Sequence, residues 1–130
     1  MKINEPKLNI LIETTYRFDF AKYFNRVPMI DFIETLNESE QAKLYLYLHK
    51  FIEMKNHNSR LSEKFSKFVN DGIFELKVDF ENRTSRSLYF YESNKMIIFT
   101  NGFIKKTNKI PEKELIKAKE IRKFHKENII

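Results

Sequence analysis

The chain has 130 residues, the size of one domain, and thirteen Phe and six Tyr provide large side chains for its core. It has no cysteine, which excludes disulfide frameworks and cysteine-ligated metals, and it has no apolar run of signal-peptide or membrane-spanning length, so we expect one soluble, cytoplasmic domain over residues 1–130. The net charge of +6 is concentrated late in the chain, where residues 105–126 hold nine basic and three acidic side chains, a pattern typical of polyanion binding.

The first half of the chain predicts an extended start followed by two helices. Residues 8–20 are rich in β-branched and aromatic side chains, which indicates one or two strands. Pro28 suits the first turn of a helix. Asn37 and Glu40 have the spacing of a capping box, which predicts a second helix that ends near Lys55.

Between residues 60 and 80 the pattern changes from helical to alternating. Three apolar residues at i, i+4 and i+7 predict a short third helix, namely Leu61, Phe65 and Phe68. Asn70-Asp71-Gly72 is a turn signal. Residues 73–79 then alternate as in a strand with one buried side, with Phe74, Leu76 and Val78 on one face and Glu75, Lys77 and Asp79 on the other.

The remaining chain predicts two more strands and a final helix. Residues 81–84 suit a hairpin loop, and strands over 87–93 and 95–101 are joined by a turn at Ser93-Asn94. Pro111 then begins a helix that carries Leu115, Ala118 and Ile121 on one side. The predicted fold is therefore α+β: an N-terminal strand and a three-stranded meander form a small antiparallel sheet, packed against N-terminal helices and a C-terminal helix.

The meander gathers cations with one carboxylate. Neighbouring antiparallel strands lie about 5 Å apart, so five residues can share one concave surface: Glu75, Lys77, Arg86, Lys105 and Lys106. The chain has neither a nucleotide-binding glycine loop nor a zinc-protease motif, and its three histidines are scattered. A cationic site of this kind suits metal-free RNA cleavage, in which the RNA supplies its own 2′-hydroxyl nucleophile and cations stabilise the phosphoryl oxygens.

The same stretch resembles a known toxin family. "DGIFELKV" at 71–78, "SRSLYFYESNKMIIFTN" at 85–101 and "GFIKKTNKIPEKELIKA" at 102–118 are similar to the C-terminal core of the RelE/ParE toxin superfamily, in its HigB-like, phage-derived branch. The residues that match in order are Gly72, Glu75, Leu76, Arg86, Tyr89, Phe90, Phe103, Lys105, Lys106, Thr107 and Pro111. Two positions depart from the branch, with Lys77 at an Arg position and Ile110 at a capping Thr position.

The resemblance implies a ribosome-dependent endoribonuclease, an mRNA interferase of a type II toxin–antitoxin system, with a RelE-like fold. Its partners would be mRNA on the ribosome and an antitoxin, often of the helix-turn-helix type, without a membrane, a metal or another cofactor. The catalytic set implied is Glu75, Lys77, Arg86, Lys105 and Lys106, and the late helix offers only His125 as a general base, so the base stays open. We expect the RNA backbone to contact four further residues: Arg83, Lys109, Lys113 and Lys117.

Other functions stay open at this point. A ParE-like toxin would bind DNA gyrase and cleave nothing, and a degenerate relative would only bind RNA or antitoxin. Arg86 could simply pair with Glu75 across the strands, and Lys105 and Lys106 could be solvated loop residues. The convergence of cations on the meander favours the nuclease, because a protein that only binds another protein has no need for it.

Overall fold

The computed structural model describes residues 15–60, 64–92 and 95–129. The α+β class is confirmed in these ranges, while the part of the predicted first strand that precedes residue 15 lies outside them. None of the helices described is both long and apolar enough to cross a membrane. The elements are β1 (Arg17–Phe20), α1 (Pro28–Glu34), α2 (Glu38–Asn56), β2 (Ser66–Asn70), β3 (Ile73–Asp79), β4 (Thr84–Glu92), β5 (Met96–Ile104) and α3 (Glu112–Glu127).

The sheet has five strands in the order β1-β5-β4-β3-β2. Strands β2 to β5 pair antiparallel in chain order, and β1 pairs parallel to β5 at the far edge. The predicted meander of three strands is confirmed, but the sheet as predicted was wrong in two respects. It gains β2 at one edge, and it is mixed because β1 runs parallel to its neighbour.

The helix starts follow the predicted local signals. Pro28 occupies the first turn of α1. At the start of α2 the Asn37 side chain accepts a hydrogen bond from the Glu40 backbone N–H at 2.8 Å, and the Asn37 backbone N–H donates to the Glu40 carboxylate at 3.1 Å. The predicted capping box is thus confirmed, and α2 continues to Asn56.

The predicted third helix was wrong, because residues 66–70 form β2; Leu61 lies outside the described residues. Asp71 and Gly72 both have positive φ, 48° and 74°, and form a two-residue turn that pairs Asn70 with Ile73. Backbone pairing with β3 along this hairpin prevails over the helical spacing of a few apolar side chains. An Asp-Gly pair between two extended runs is the signal that favours the hairpin.

Helices cover both faces of the sheet. On one face α1 and α2 pack on a core that includes Met29, Phe32, Leu44, Leu48, Phe51, Leu76, Tyr89 and Phe99. On the other face α3 packs through Ala118 and Ile121 on Ile73, Leu88, Phe90 and Ile98. The predicted apolar side of α3 is therefore confirmed.

A bulge in β5 changes which side chains face α3. Thr100 and Asn101 lie opposite Leu88 alone, since Ser87 pairs with Gly102 and Tyr89 with Phe99. This extra residue reverses the alternation of the strand. Phe103 therefore pairs with Arg86 on the α3 face, and the alternation then brings Lys105 to that face as well.

The opposite side of the bulge is tightly packed. Gly102 lies against the Phe32 ring, so that a Cβ at this position would come within 2.3 Å of a ring carbon. The Asn101 side chain donates to the Glu114 carbonyl oxygen at 3.3 Å, which ties the bulge to α3. The bulge is thus held by a helix on each face of the sheet.

Candidate functional site

A pocket of about 330 Å³ opens on the α3 face, towards the end of the sheet where the chain leaves β5. It lies between the edge strand β2, the centres of β3 and β4, and the loop that follows β5. Its charged lining is almost entirely cationic. The lining residues are Lys64, Phe65, Ser66, Lys67, Glu75, Lys77, Arg86, Lys105 and Asn108.

A buried ion pair forms part of the pocket lining. Arg86 Nη1 lies 3.5 Å from Glu75 Oε2, and each side chain is only 3% exposed. Lys67 Nζ lies 3.5 Å from the other carboxylate oxygen, Glu75 Oε1. Both cations lie within ion-pair distance of Glu75, so the carboxylate is shared between them.

Arg86 is oriented by the loop after β5. Its Nη2 donates to the carbonyl oxygen of Asn108 at 3.0 Å, and the Lys105 backbone N–H donates to Thr84 at 2.7 Å. Arg86 Nε and Nη1 are buried and have no hydrogen-bond partner within the described part of the chain, and the same is true of Glu75 Oε2. Nη1 and Oε2 face each other in the ion pair at 3.5 Å, so Nε is the buried donor of Arg86 that has no acceptor among the described residues.

Like charges also face each other across the strands. Lys77 of β3 lies directly opposite Arg86 of β4, on the same face of the sheet. Such a pair destabilises a sheet when nothing compensates it. Together with the unpartnered Nε donor of Arg86, it makes the pocket suited to an anion with several oxygen atoms.

The structure brings together four of the five residues predicted as catalytic, namely Glu75, Lys77, Arg86 and Lys105. The fifth, Lys106, is exposed and does not line the pocket. The strand alternation therefore separates two adjacent lysines that the sequence analysis placed together in the catalytic set.

The four residues predicted to contact the RNA backbone lie outside the pocket lining. Lys109 is exposed in the loop after β5, and Lys113 and Lys117 are exposed on α3. Arg83 instead binds Glu40 of α2, with Nε and Nη2 donating to the carboxylate at 2.7 Å and 2.8 Å. The first three can still extend a cationic surface beside the pocket, whereas Arg83 is engaged by α2.

Sequence reasoning missed the contribution of β2. Lys67 pairs with Glu75 in the sheet, and Lys64 and Ser66 also line the pocket. The prediction of a helix over this segment hid their proximity to β3. The Asp71-Gly72 hairpin signal would have placed this segment beside β3, and a bulge between Phe68 and Asn70 then sets the register that pairs Lys67 with Glu75. Asn108 could not be found this way, because it acts through its backbone carbonyl.

Residues 31–123 match the family model described as Phage derived protein Gp49-like (DUF891). No curated protein matches the chain. The matched range covers more than half of the chain and includes every residue that lines the pocket around Arg86.

The pairing of Arg83 with Glu40 generates a prediction about stability and pH. Its hydrogen bonds lower the pKa of Glu40 to about 2, below the ordinary value of 4.5. Between these values the unfolded chain binds more protons than the folded one, so the stabilisation is present above about pH 5 and is lost towards about pH 2. We expect the stability difference between the wild type and Arg83→Gln to shrink as the pH falls from about 6 to about 3.

Urea unfolding at several pH values measures this difference. Lys123→Gln removes an exposed cation of α3 and serves as the control, with a small difference that changes little with pH. A stability difference for Arg83→Gln that stays constant over the whole range would contradict the role assigned to the pair.

Proposed function

The chain belongs to the Gp49-like family of phage-derived proteins, a family of the RelE/toxin–antitoxin type, and from this premise we propose that it is a toxin that cleaves mRNA on the ribosome. The proposal includes a RelE-like fold, the HigB-like branch and a cognate antitoxin, of the helix-turn-helix type, as partner. The resemblance to toxin–antitoxin proteins seen in the sequence is confirmed at the level of the family. The nuclease activity and the ribosome are the further steps proposed.

The observation that carries this proposal is the state of Arg86. Its side chain is 3% exposed and lines a pocket with four lysines. Its Nε has no hydrogen-bond partner among the described residues, and its Nη1 has only the ion pair with Glu75 at 3.5 Å. A phosphate group in the pocket would bring anionic oxygens to this guanidinium, whose fixed geometry and permanent charge suit such an anion. Protein docking alone would not require a buried guanidinium with an unused Nε donor among four lysines.

The chemistry proposed needs no metal. The 2′-oxygen of the nucleotide attacks the adjacent phosphorus, the bond from phosphorus to the 5′-oxygen breaks, and the products are a 2′,3′-cyclic phosphate and a 5′-hydroxyl. One proton leaves the 2′-hydroxyl and one proton reaches the departing 5′-oxygen. Between these events negative charge accumulates on the phosphoryl oxygens, where fixed cations lower the barrier.

The described residues divide these tasks. Arg86 holds the scissile phosphate, and Lys77 and Lys105 contribute charge from the neighbouring strand and from the loop. Glu75 holds Arg86 and Lys67 in position, and it is the one carboxylate of the described pocket lining, so the proposal assigns it the 2′-hydroxyl proton. The proton for the 5′-oxygen would come from one of the pocket lysines or from the ribosome.

Dependence on the ribosome follows from the geometry required. In-line attack needs the 2′-oxygen, the phosphorus and the 5′-oxygen to be aligned, which a flexible single strand seldom achieves. A partner that holds mRNA in a bent conformation supplies this alignment and can accelerate the reaction strongly. The exposed lysines of α3 and of the preceding loop provide charge for the approach to RNA.

The first prediction from this proposal concerns Arg86. Complete removal would leave the buried Glu75 with Lys67 as its remaining ion-pair partner, and breaking a buried pair costs about 3–5 kcal/mol, so Arg86→Lys is the better variant. It retains the positive charge but loses the paired donors, and we expect cleavage to fall roughly 10²–10³-fold. Single-turnover cleavage of ribosome-bound mRNA measures the effect.

Arg26→Lys is the matched control, because Arg26 forms an exposed ion pair with Asp31 outside the pocket. It should cleave at the wild-type rate. Thermal unfolding establishes that both variants are folded. Undiminished cleavage by folded Arg86→Lys would refute the phosphate-binding role of Arg86.

The second prediction separates the two adjacent lysines after β5. Lys105 lines the pocket and Lys106 does not, so Lys105→Ala should depress single-turnover cleavage at saturating ribosome concentration. Lys106→Ala should leave that rate unchanged and weaken association, with the salt dependence of binding reduced by about one counterion at most. Cleavage rates and affinities at several salt concentrations distinguish the two effects. Equal cleavage rates in the two variants would show that the pocket does not select Lys105.

A further inference from the structure

A second pocket lies on the opposite side of β2. It has a volume of about 290 Å³ and is lined mainly by aromatic side chains. Its lining residues are Phe51, Lys55, Ser66, Lys67, Phe68, Phe74, Tyr89 and Tyr91. We name it the aromatic pocket, and the pocket around Arg86 the cationic pocket.

The alternation of β2 links the two pockets. Lys67 pairs with Glu75 on the α3 face, whereas Ser66 and Phe68 pair with Leu76 and Phe74 on the α2 face. Ser66 and Lys67 line both pockets. Because β2 is the last strand of the sheet, the two pockets lie on either side of one exposed edge.

Two buried rings form the inner wall of the aromatic pocket. Phe51 and Tyr89 are buried, and burial raises the pKa of Tyr89 well above its ordinary value, so its phenol stays neutral and hydrogen-bonds to Ser66. Phe74 stacks on Tyr89 with ring centres 5.4 Å apart and an angle of 17° between the ring planes. These contacts hold the Phe74 ring in one orientation.

The rim of this pocket carries an exposed aromatic ring and two lysines. Phe68 is 59% exposed although it is a large apolar residue, and its ring meets Phe74 edge to face at 5.4 Å. Lys55 Nζ lies 5.2 Å from the centre of the Tyr91 ring, and Lys67 also lines the aromatic pocket. Exposed rings beside cations are the features with which proteins bind single-stranded nucleic acid.

We propose that the aromatic pocket binds one nucleobase of the RNA strand whose backbone enters the cationic pocket. This inference rests on the function proposed above, since it takes RNA as the ligand. The base would stack on Phe68 at the open rim, while Lys55 and Lys67 lie near the adjoining phosphates. The volume is close to the lower limit for small-ligand pockets, about 300 Å³, which suits a single base rather than a larger group.

The shared lining argues for one ligand across both pockets. A strand that passes around the edge of β2 would place a phosphate on one side of Lys67 and a base on the other. An apolar side chain of a protein partner would also fit the rings, but it would gain nothing from the two lysines at the rim. The base is therefore the ligand that uses every exposed group of this pocket.

Binding of short RNA by the complete chain tests the inference. The probes are trinucleotides with 2′-O-methyl groups, which prevent cleavage, and with either 2-aminopurine or an abasic sugar at each position in turn. We expect Phe68→Ala to weaken binding of the base-containing probe about tenfold, as for the loss of one stacking ring, and to leave the matching abasic probe unaffected. Wild-type protein should also quench the fluorescence of 2-aminopurine at the one probe position whose base enters the aromatic pocket.

Phe24→Ala is the matched control, because Phe24 is a phenylalanine of similar exposure, 67%, that does not line either pocket. It should bind all probes like the wild type. The inference is overturned if Phe68→Ala weakens the base-containing and abasic probes equally, if it weakens neither, or if the wild type binds no probe. None of these results changes the expected loss of ribosomal cleavage in Arg86→Lys, so failure here is distinct from failure of the nuclease proposal.

Discussion

Two buried opposite charges, Glu75 and Arg86, set the main constraint on this structure. Moving each charge out of water costs several kcal/mol, and one contact at 3.5 Å compensates this only in part. The surrounding fold must therefore hold the pair: helices cover both faces of the sheet, and the Asn108 carbonyl accepts from Arg86. Arg86 Nε remains without a hydrogen-bond partner among the described residues.

The shape of the pocket depends on two departures from a regular sheet. The bulge at Thr100 and Asn101 reverses the alternation of β5, so the loop that leaves the strand delivers Lys105 beside Arg86. At the other edge the short strand β2 adds Lys67 next to Glu75. The helix α3 is tied to the bulge through Asn101 and leaves this end of the sheet open. A regular antiparallel sheet with the same sequence of strands would place Lys106 rather than Lys105 on this face.

Local patterns predicted those features that depend on neighbours in the sequence. The capping box of Asn37 and Glu40 acts within a few residues and is confirmed, as is the strand over 73–79. The prediction that this strand has one buried side was wrong, because helices cover both faces of the sheet and Ile73 and Glu75 are buried on the α3 face. The short helix over Leu61 to Phe68 was wrong because pairing with β3, a tertiary interaction, decides the conformation there. Periodicity cannot reveal the bulge, so the sequence grouped Lys105 with Lys106. It also could not show that Arg83 would bind Glu40, forty-three residues earlier.

The central claim is that mRNA is cleaved in the cationic pocket when a 2′-hydroxyl of the mRNA attacks the adjacent phosphorus. The chemical ends of the RNA fragments test this claim most directly. Ribosomes carrying a defined mRNA would be incubated with the protein, the cut mapped, and the experiment repeated with one 2′-O-methyl group on the nucleotide before the cut. The account predicts fragments with 2′,3′-cyclic phosphate and 5′-hydroxyl ends, and no cut at that position in the modified mRNA. Intact mRNA in the first experiment, or a cut that persists at the modified nucleotide, would contradict it.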